Sequence, residues 1–177
     1  MRNTFLVFFI CLFCLVACST QNTIAPPYNG NRLIIGIIGN PPEIRENNIK
    51  FHKISFKELE DSRLLSSFDA VMIMKEHLSE AAESKYAKVY KQASIPFFFV
   101  QSTKAFLPFT EEDLSYEDTP ELDAWSYAAG YRRTPEGIDN SWSFGLYDDK
   151  VTKENIWDVY SRIFTVIETE SKKYGRF

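Results

Sequence analysis

The sequence predicts an α/β domain with a mostly parallel central sheet and helices on both of its faces. Three short apolar runs carry this prediction, at residues 33–38, 70–74 and 95–100. None of them alternates with polar residues, as a strand with one exposed face would. Amphipathic segments separate the runs, which is typical of parallel strands joined by helices. A weaker strand is expected at residues 51–55.

Three helices are predicted from their first residues and their apolar stripes. Ser55 opens an S-x-x-E capping box, so the first helix should begin there. Ser79 is expected to cap the second helix and Thr152 the last, because their hydroxyl oxygens can accept hydrogen bonds from the free amides of a helix start. The last helix should dock on the sheet through a stripe made of Ile156, Val159, Tyr160, Ile163, Phe164 and Ile167.

Two further strands, at residues 125–131 and 142–147, are predicted to form a hairpin. Strand alternation would give this hairpin an aromatic side and a side of small residues. The rings concerned are those of Trp125, Tyr127, Tyr131, Trp142 and Phe144. An aromatic platform could stack on a sugar ring, which makes Trp125 and Trp142 binding candidates. The alternative is that these rings fill the core, as aromatic side chains usually do.

Residues 32–177 are predicted to form a single α/β domain, because they contain no internal repeat and no second domain boundary. The predicted elements resemble the flavodoxin-like three-layer fold, followed by an aromatic hairpin and a closing helix. Residues 19–31 carry no charge and are rich in Ser, Thr, Asn, Pro and Gly. Such a composition buries too little apolar surface to order itself, so residues 18–31 are expected to form a flexible tether that begins at a lipidated Cys18.

The apolar run at residues 5–17 decides where the domain works. As a helix, 13 residues would cover roughly 20 Å, well short of the ~30 Å hydrocarbon core of a bilayer. A basic start at Arg2 and a small residue before Cys18 fit a secretory signal instead. Residues 1–17 are therefore predicted to be a signal peptide.

Residues 15–18, LVAC, resemble the lipobox of bacterial lipoproteins. The resemblance covers the first 18 residues and implies that the Cys18 thiol receives a diacylglyceryl group before the signal is removed. It also implies that the new amino terminus can be acylated. Two or more acyl chains hold a protein stably on a membrane. The protein would then face outside the cytoplasm on a bacterial cell membrane; the alternative is an ordinary secreted protein.

Removal of residues 1–17 would leave a chain of 160 residues with 19 basic and 24 acidic side chains. This balance disfavours nucleic acid as a partner, because such proteins present basic patches. Two of the three cysteines would leave with the signal, so Cys18 would be the last one. With only His52 and His77 as histidines, no metal site and no cofactor are expected.

If the sheet is parallel, the loops after its strands meet at its carboxyl edge, where ligands of open α/β sheets usually bind. The residues that could share a crevice there are Asn40, Glu76, His77, Gln101, Ser102 and Lys104. Ser102, His77 and Glu76 have the residue types of a nucleophile, a base and an orienting acid. The glycines of a nucleophile elbow are absent around Ser102, and no phosphate-loop, zinc-protease or EF-hand motif occurs in the chain.

Three functions stay open. The leading hypothesis is a lipid-anchored module that binds a small molecule, a glycan or a protein at the cell envelope without catalysis. The second is a membrane-anchored hydrolase that uses the Ser102 crevice. The third is an accessory or inhibitory lipoprotein that binds a protein partner through the aromatic hairpin or through residues 111–123, which hold seven acids. Because this stretch has no glycine to bend it around a cation, it is interpreted as a solvated loop.

Overall fold

A computed structural model describes residues 24–122 and 126–175 and shows a six-stranded mixed sheet with helices on both faces. The predicted α/β class is confirmed. The predicted signal peptide, the predicted lipidation site Cys18 and the binding candidate Trp125 lie outside the described residues. No helix in the described ranges has the length and the apolar character that a membrane span requires.

The strands are β1 (Leu33–Ile38), β2 (Ile49–Lys53), β3 (Ala70–Ile73), β4 (Phe97–Val100), β5 (Ser126–Arg133) and β6 (Asp139–Gly145). Their order in the sheet is β2-β1-β3-β4-β5-β6. Strands β2, β1, β3 and β4 run parallel to one another. Strand β5 pairs antiparallel with β4, and β6 pairs antiparallel with β5. The mostly parallel, flavodoxin-like sheet is therefore not confirmed. The chain between β4 and β5 folds back to the edge that it left, where Leu122 donates to the Thr103 carbonyl, so β5 must run antiparallel to β4.

The α-helices are α1 (Ser62–Leu65), α2 (Leu78–Ala81), α3 (Ser84–Gln92), α4 (Leu107–Thr110) and α5 (Lys153–Lys173). Short 3-10 helices span Phe56–Glu60, Lys75–His77 and Tyr147–Asp149. The capping residue Ser55 is confirmed, although it opens a 3-10 helix. Thr152 is also confirmed, because its hydroxyl accepts from the Asn155 amide. The prediction for Ser79 is wrong: this residue lies inside α2, and Glu83 is the residue before α3.

Alternate residues of the central strands point to two separate cores. On one face, Met72 and Phe98 pack with the apolar stripe of α5. On the other face, Val71 and Phe97 pack with the short helices α1 to α3. The predicted stripe of α5 is confirmed, since its residues from Val159 onward are buried. Both faces of the central strands are covered, which explains their lack of polar alternation.

The predicted aromatic face of the hairpin is wrong for β5. A register shift at the start of this strand, a β-bulge, turns Tyr127 to the face opposite Tyr131. Tyr127 meets Tyr160 of α5 edge-on, whereas Tyr131 stacks on Phe106 beneath the other face. An extra residue in one strand breaks the two-residue period from which the prediction was made. The side chains of β6 keep the two-residue period, so Trp142 and Phe144 lie on the same face and both rings contact Phe98.

Residues 24–31 do not form part of a flexible tether but lie along α5 as a strap. Tyr28 is buried, and its ring meets Phe164 edge-on with the centroids 6.0 Å apart. Strap amides three residues apart donate to carboxylates of the domain. The three bonds run from Ala25 to Asp158 (2.6 Å), from Tyr28 to Glu46 (3.1 Å) and from Asn31 to Glu168 (3.1 Å). Carboxylates hydrogen-bonded to amides are strong acceptors, so they order a segment of weak local preference.

Replacing Tyr28 with alanine is expected to lower the free energy of unfolding by about 3 kcal/mol, as is usual when a buried aromatic side chain is removed. Urea denaturation of the purified domain measures the effect. The matched control is Asn29→Ala at the exposed neighbouring residue, which should stay within about 0.5 kcal/mol of the wild type. Equal denaturation midpoints for the two variants would show that the strap is not part of the folded core.

Candidate functional site

The loops after β1 and β3 approach each other closely at the carboxyl edge of the sheet. Gly39 has a φ of +112°, and a Cβ at this position would lie 2.7 Å from the Met74 side chain. A glycine is therefore required for the approach. Beside this turn, Asn40 is exposed and accepts from Lys53 at 2.9 Å. Glu76 is exposed as well, and its carboxylate oxygen lies near Gly39.

Ser102 does not form a catalytic triad with His77 and Glu76. Its side chain is fully buried. The hydroxyl donates to the Lys104 carbonyl at 2.9 Å and accepts from the Lys104 amide at 3.1 Å, so it stabilises a turn. The His77 ring lies instead against Phe56, with the centroids 6.1 Å apart. A buried hydroxyl engaged in this way is out of reach of a substrate.

Lys104 is buried and supports the acidic segment rather than a ligand. Its ammonium group donates to the carbonyls of Glu117 (3.1 Å) and Thr119 and lies 5.0 Å from the centre of the Tyr116 ring. A hydrogen bond from Ser79 lowers the pKa of Glu117, and the charge of Lys104 lowers it further. The acids of this segment are exposed within the described residues, where no group of acids, histidines and cysteines is arranged to hold a metal ion.

The structure forms a crevice of about 450 Å³ at the carboxyl edge, between the loops after β1, β3 and β4 and the first turns of α5. Its walls are Pro42, Glu43, Met74, Gln101, Tyr127, Val151, Thr152, Lys153, Ile156, Trp157 and Tyr160. Of the six residues predicted to share a crevice here, Gln101 is the one that lines it. A volume of this size is in the range of small-molecule sites.

Gln101 begins a chain of polar groups that runs into the crevice. With a φ of 59°, this residue turns the chain sharply at the end of β4. Its side-chain amide donates to the Tyr127 hydroxyl at 3.3 Å, and the Tyr127 ring meets the Tyr160 ring edge-on with the centroids 6.5 Å apart. Burial, together with the nearby Tyr127, raises the pKa of Tyr160 far above its usual range. The Tyr160 hydroxyl therefore stays protonated and serves as a hydrogen-bonding group, not as a base.

Charge at the mouth of the crevice is balanced. The Lys153 ammonium group is paired with the Glu43 carboxylate and lies 4.6 Å from the centre of the Trp157 ring. The Trp157 Nε1 is buried and has no hydrogen-bond partner among the described residues. The described lining contains no serine, cysteine or histidine. The crevice can stack rings and exchange hydrogen bonds, and the hydroxyl of its Thr152 is engaged as the cap of α5 by accepting from the Asn155 amide.

Trp157 was missed by the sequence analysis, as were Pro42, Glu43 and Lys153. A signal for Trp157 did exist, because this large aromatic side chain lies one residue away from the apolar stripe of α5. The predicted candidate Trp142 is half-buried and stacks on Phe98, with the centroids 6.2 Å apart. Its ring therefore extends the core and does not form an exposed platform.

A second groove, of about 730 Å³, lies between the strap and α5. Its charged walls are Arg162 and Glu168, and both are already paired. The Arg162 guanidinium group donates to Asp158 at 2.7 Å and to the Gly145 carbonyl at 2.6 Å, and Glu168 pairs with Lys172 at 2.9 Å. At the carboxyl-edge crevice, by contrast, the Gln101 side chain is exposed. The carboxyl-edge crevice is therefore the better candidate for a ligand site.

No known protein family matches the chain, and neither a curated protein nor a solved structure matches it.

Replacing Lys104 with methionine is expected to lower the free energy of unfolding by about 2 kcal/mol, because the buried Thr119 carbonyl and the part-buried Glu117 carbonyl would lose a charged donor. Chemical denaturation gives the magnitude, and proteolysis should cut residues 103–122 faster in the variant. Lys88→Met on the exposed side of α3 is the matched control and should behave as the wild type. A Lys104 variant as stable and as protease-resistant as the control would refute the supporting role.

Proposed function

We propose that this chain is a lipid-anchored binding module of the bacterial cell envelope, which holds a small neutral ligand in the carboxyl-edge crevice without catalysis. A sugar residue of an envelope glycan is the ligand class that we favour. The observation that carries this proposal is the lining of the crevice. The half-buried Trp157 and the exposed Gln101 line it beside a neutral ion pair, together with the buried side chains of Tyr127 and Tyr160.

The membrane part of the proposal rests on the resemblance of residues 15–18 to a lipobox. An apolar run of 13 residues is too short for a permanent span but suits a cleaved signal. Each buried methylene of an acyl chain contributes about 0.8 kcal/mol, so two chains on Cys18 and its amino group would hold the protein on the membrane. The domain would then work outside the cytoplasm.

The ligand class follows from the chemistry of the crevice walls. Aromatic rings present flat apolar surfaces that match the C–H face of a sugar ring, while amide and hydroxyl groups match its hydroxyls. A charged ligand would find no free counter-charge at the mouth, because Lys153 and Glu43 neutralise each other. An acceptor that reached Trp157 Nε1 would satisfy a donor whose burial without a partner costs about 1–3 kcal/mol.

The position of the crevice supports a binding role as well. We propose that the parallel half of the sheet, with the order β2-β1-β3-β4, is flavodoxin-like despite the antiparallel hairpin. In such sheets ligands bind where the strand order reverses, between β1 and β3. Pro42 follows β1 and Met74 follows β3, and both line the crevice.

The hydrolase alternative finds less support in the geometry. A nucleophile must reach its substrate and lie within hydrogen-bond distance of a base. Ser102 is fully buried and bonded to the backbone of Lys104, and His77 lies against Phe56. We therefore propose binding without bond cleavage.

Replacing Cys18 with alanine is expected to leave an unprocessed precursor and to abolish acyl labelling, because the thiol is the proposed attachment point. Metabolic labelling with a fatty-acid analogue, followed by mass spectrometry of the amino terminus, measures both effects. Ser19→Ala is the control and should keep the label. Undiminished labelling of the Cys18 variant would refute the lipid anchor.

A β-1,4-linked N-acetylhexosamine disaccharide is the probe for the crevice. Trp157→Ala and Gln101→Asn are each expected to weaken its binding about tenfold, which corresponds to about 1.4 kcal/mol for a lost stacking contact or hydrogen bond. Asparagine tolerates the left-handed backbone at position 101, so the second change mainly shortens the amide. Calorimetric titration gives the affinities. Gln92→Asn at an exposed residue of α3 is the matched control; equal affinities for the two asparagine variants would exclude the crevice as the glycan site.

A further inference from the structure

The strap enters the domain beside the carboxyl-edge crevice. The Ala25 amide donates to Asp158 at 2.6 Å, and the Ala25 carbonyl accepts from Arg45 at 2.7 Å. Asp158 directly follows Trp157 in α5, and Arg45 comes two residues after Glu43. Trp157 and Glu43 are both walls of the crevice. The first described residues are therefore fastened to the same edge of the sheet at which the crevice opens.

The chain before the strap is short in comparison with the domain. Six peptide steps separate Cys18 from Ile24, and at full extension they reach about 21 Å. Strand β5, with its 8 residues, alone spans about 23 Å from the carboxyl edge to the amino edge of the sheet. A chain that is attached at the carboxyl edge cannot run past the whole domain and still reach Cys18. The amino edge of the sheet therefore cannot face a membrane in which Cys18 is anchored.

We infer that, in the anchored protein, the carboxyl edge of the sheet faces the bilayer, and that Ile24 and Val151 contact the bilayer surface. This inference rests on the proposed lipid anchor. Val151 is 75% exposed at the rim of the crevice, and Ile24 is 43% exposed at the start of the strap. The crevice then opens toward the lipid head groups, so its ligand is taken up at the membrane surface.

Two ion pairs neutralise part of the charge at this edge, where the acids Asp149 and Glu121 are exposed as well. Glu43 is paired with Lys153, and Asp148 lies 3.6 Å from Lys150. Paired charges of opposite sign avoid a strong repulsion from anionic lipids, whose surface potential acts within about a Debye length. The two exposed aliphatic side chains can then enter the head-group layer, where burial of apolar surface is favourable.

A matched pair of cysteine variants tests the orientation. Val151→Cys places a thiol at the carboxyl edge, whereas Ile138→Cys places one in the turn after β5, at the amino edge, where the wild-type side chain is 62% exposed. Each full-length lipidated variant is labelled with an environment-sensitive fluorophore and reconstituted in phosphatidylglycerol–phosphatidylethanolamine vesicles. Cys18 does not react if it carries the lipid, so the label reports a single position. Quenching by lipids that carry a spin label in the head group measures proximity to the bilayer.

The label at position 151 is expected to be quenched several-fold more strongly than the label at position 138. A flexible glycine–serine insertion after Thr23 leaves the fold untouched and should remove most of this difference. Equal quenching at the two positions, or stronger quenching at position 138, would overturn the inference. A difference that survives the insertion would show that the contact of Ile24 and Val151, and not the short chain before the strap, sets the orientation. Vesicle flotation of the same samples separates the two proposals: protein that floats without a difference in quenching refutes the orientation alone, while protein that does not float refutes the anchor.

Discussion

Burial of the apolar stripe of α5 against one face of the sheet is the interaction on which the other features of this domain depend. Val159, Ile163, Phe164 and Ile167 are fully buried there. A side chain of this kind contributes about 2 kcal/mol when it leaves water. The same helix accepts strap amides through Asp158 and lines the crevice with its first turns. One docked helix therefore positions the core, the amino-terminal strap and the candidate site together.

The reversal of the chain after β4 is the second constraint. Gln101 leaves the strand with a left-handed backbone, and the following residues return to the same edge around the buried ammonium group of Lys104. Because β5 then starts at the carboxyl edge, its first aromatic side chain, Tyr127, comes to lie beside Tyr160. An all-parallel sheet would have placed the start of β5 at the opposite edge, away from the crevice.

The chemistry of the crevice and the position of the strap fit one description of the protein. The walls offer rings, an amide and phenol hydroxyls, which are groups that match the proposed neutral ligand. The strap joins the domain next to these walls. A binding module whose site opens beside its anchor would sample ligands near the membrane in preference to those that diffuse far from it.

Local patterns in the sequence determined the elements of this fold. The strand at residues 33–38, the cap at Thr152 and the stripe of α5 could all be predicted, because apolar periodicity and capping act between residues close in the chain. For the candidate site, the sequence predicted the correct edge of the sheet. Of the six residues predicted to line a crevice there, only Gln101 lines the crevice that the structure describes. Tertiary structure decided the rest. Tyr28 is ordered by Glu46 and α5, Tyr127 changes face at a bulge, and the direction of β5 follows from a loop that closes on Thr103. Each of these depends on partners distant in the chain, and such pairings leave no periodic signal in the sequence.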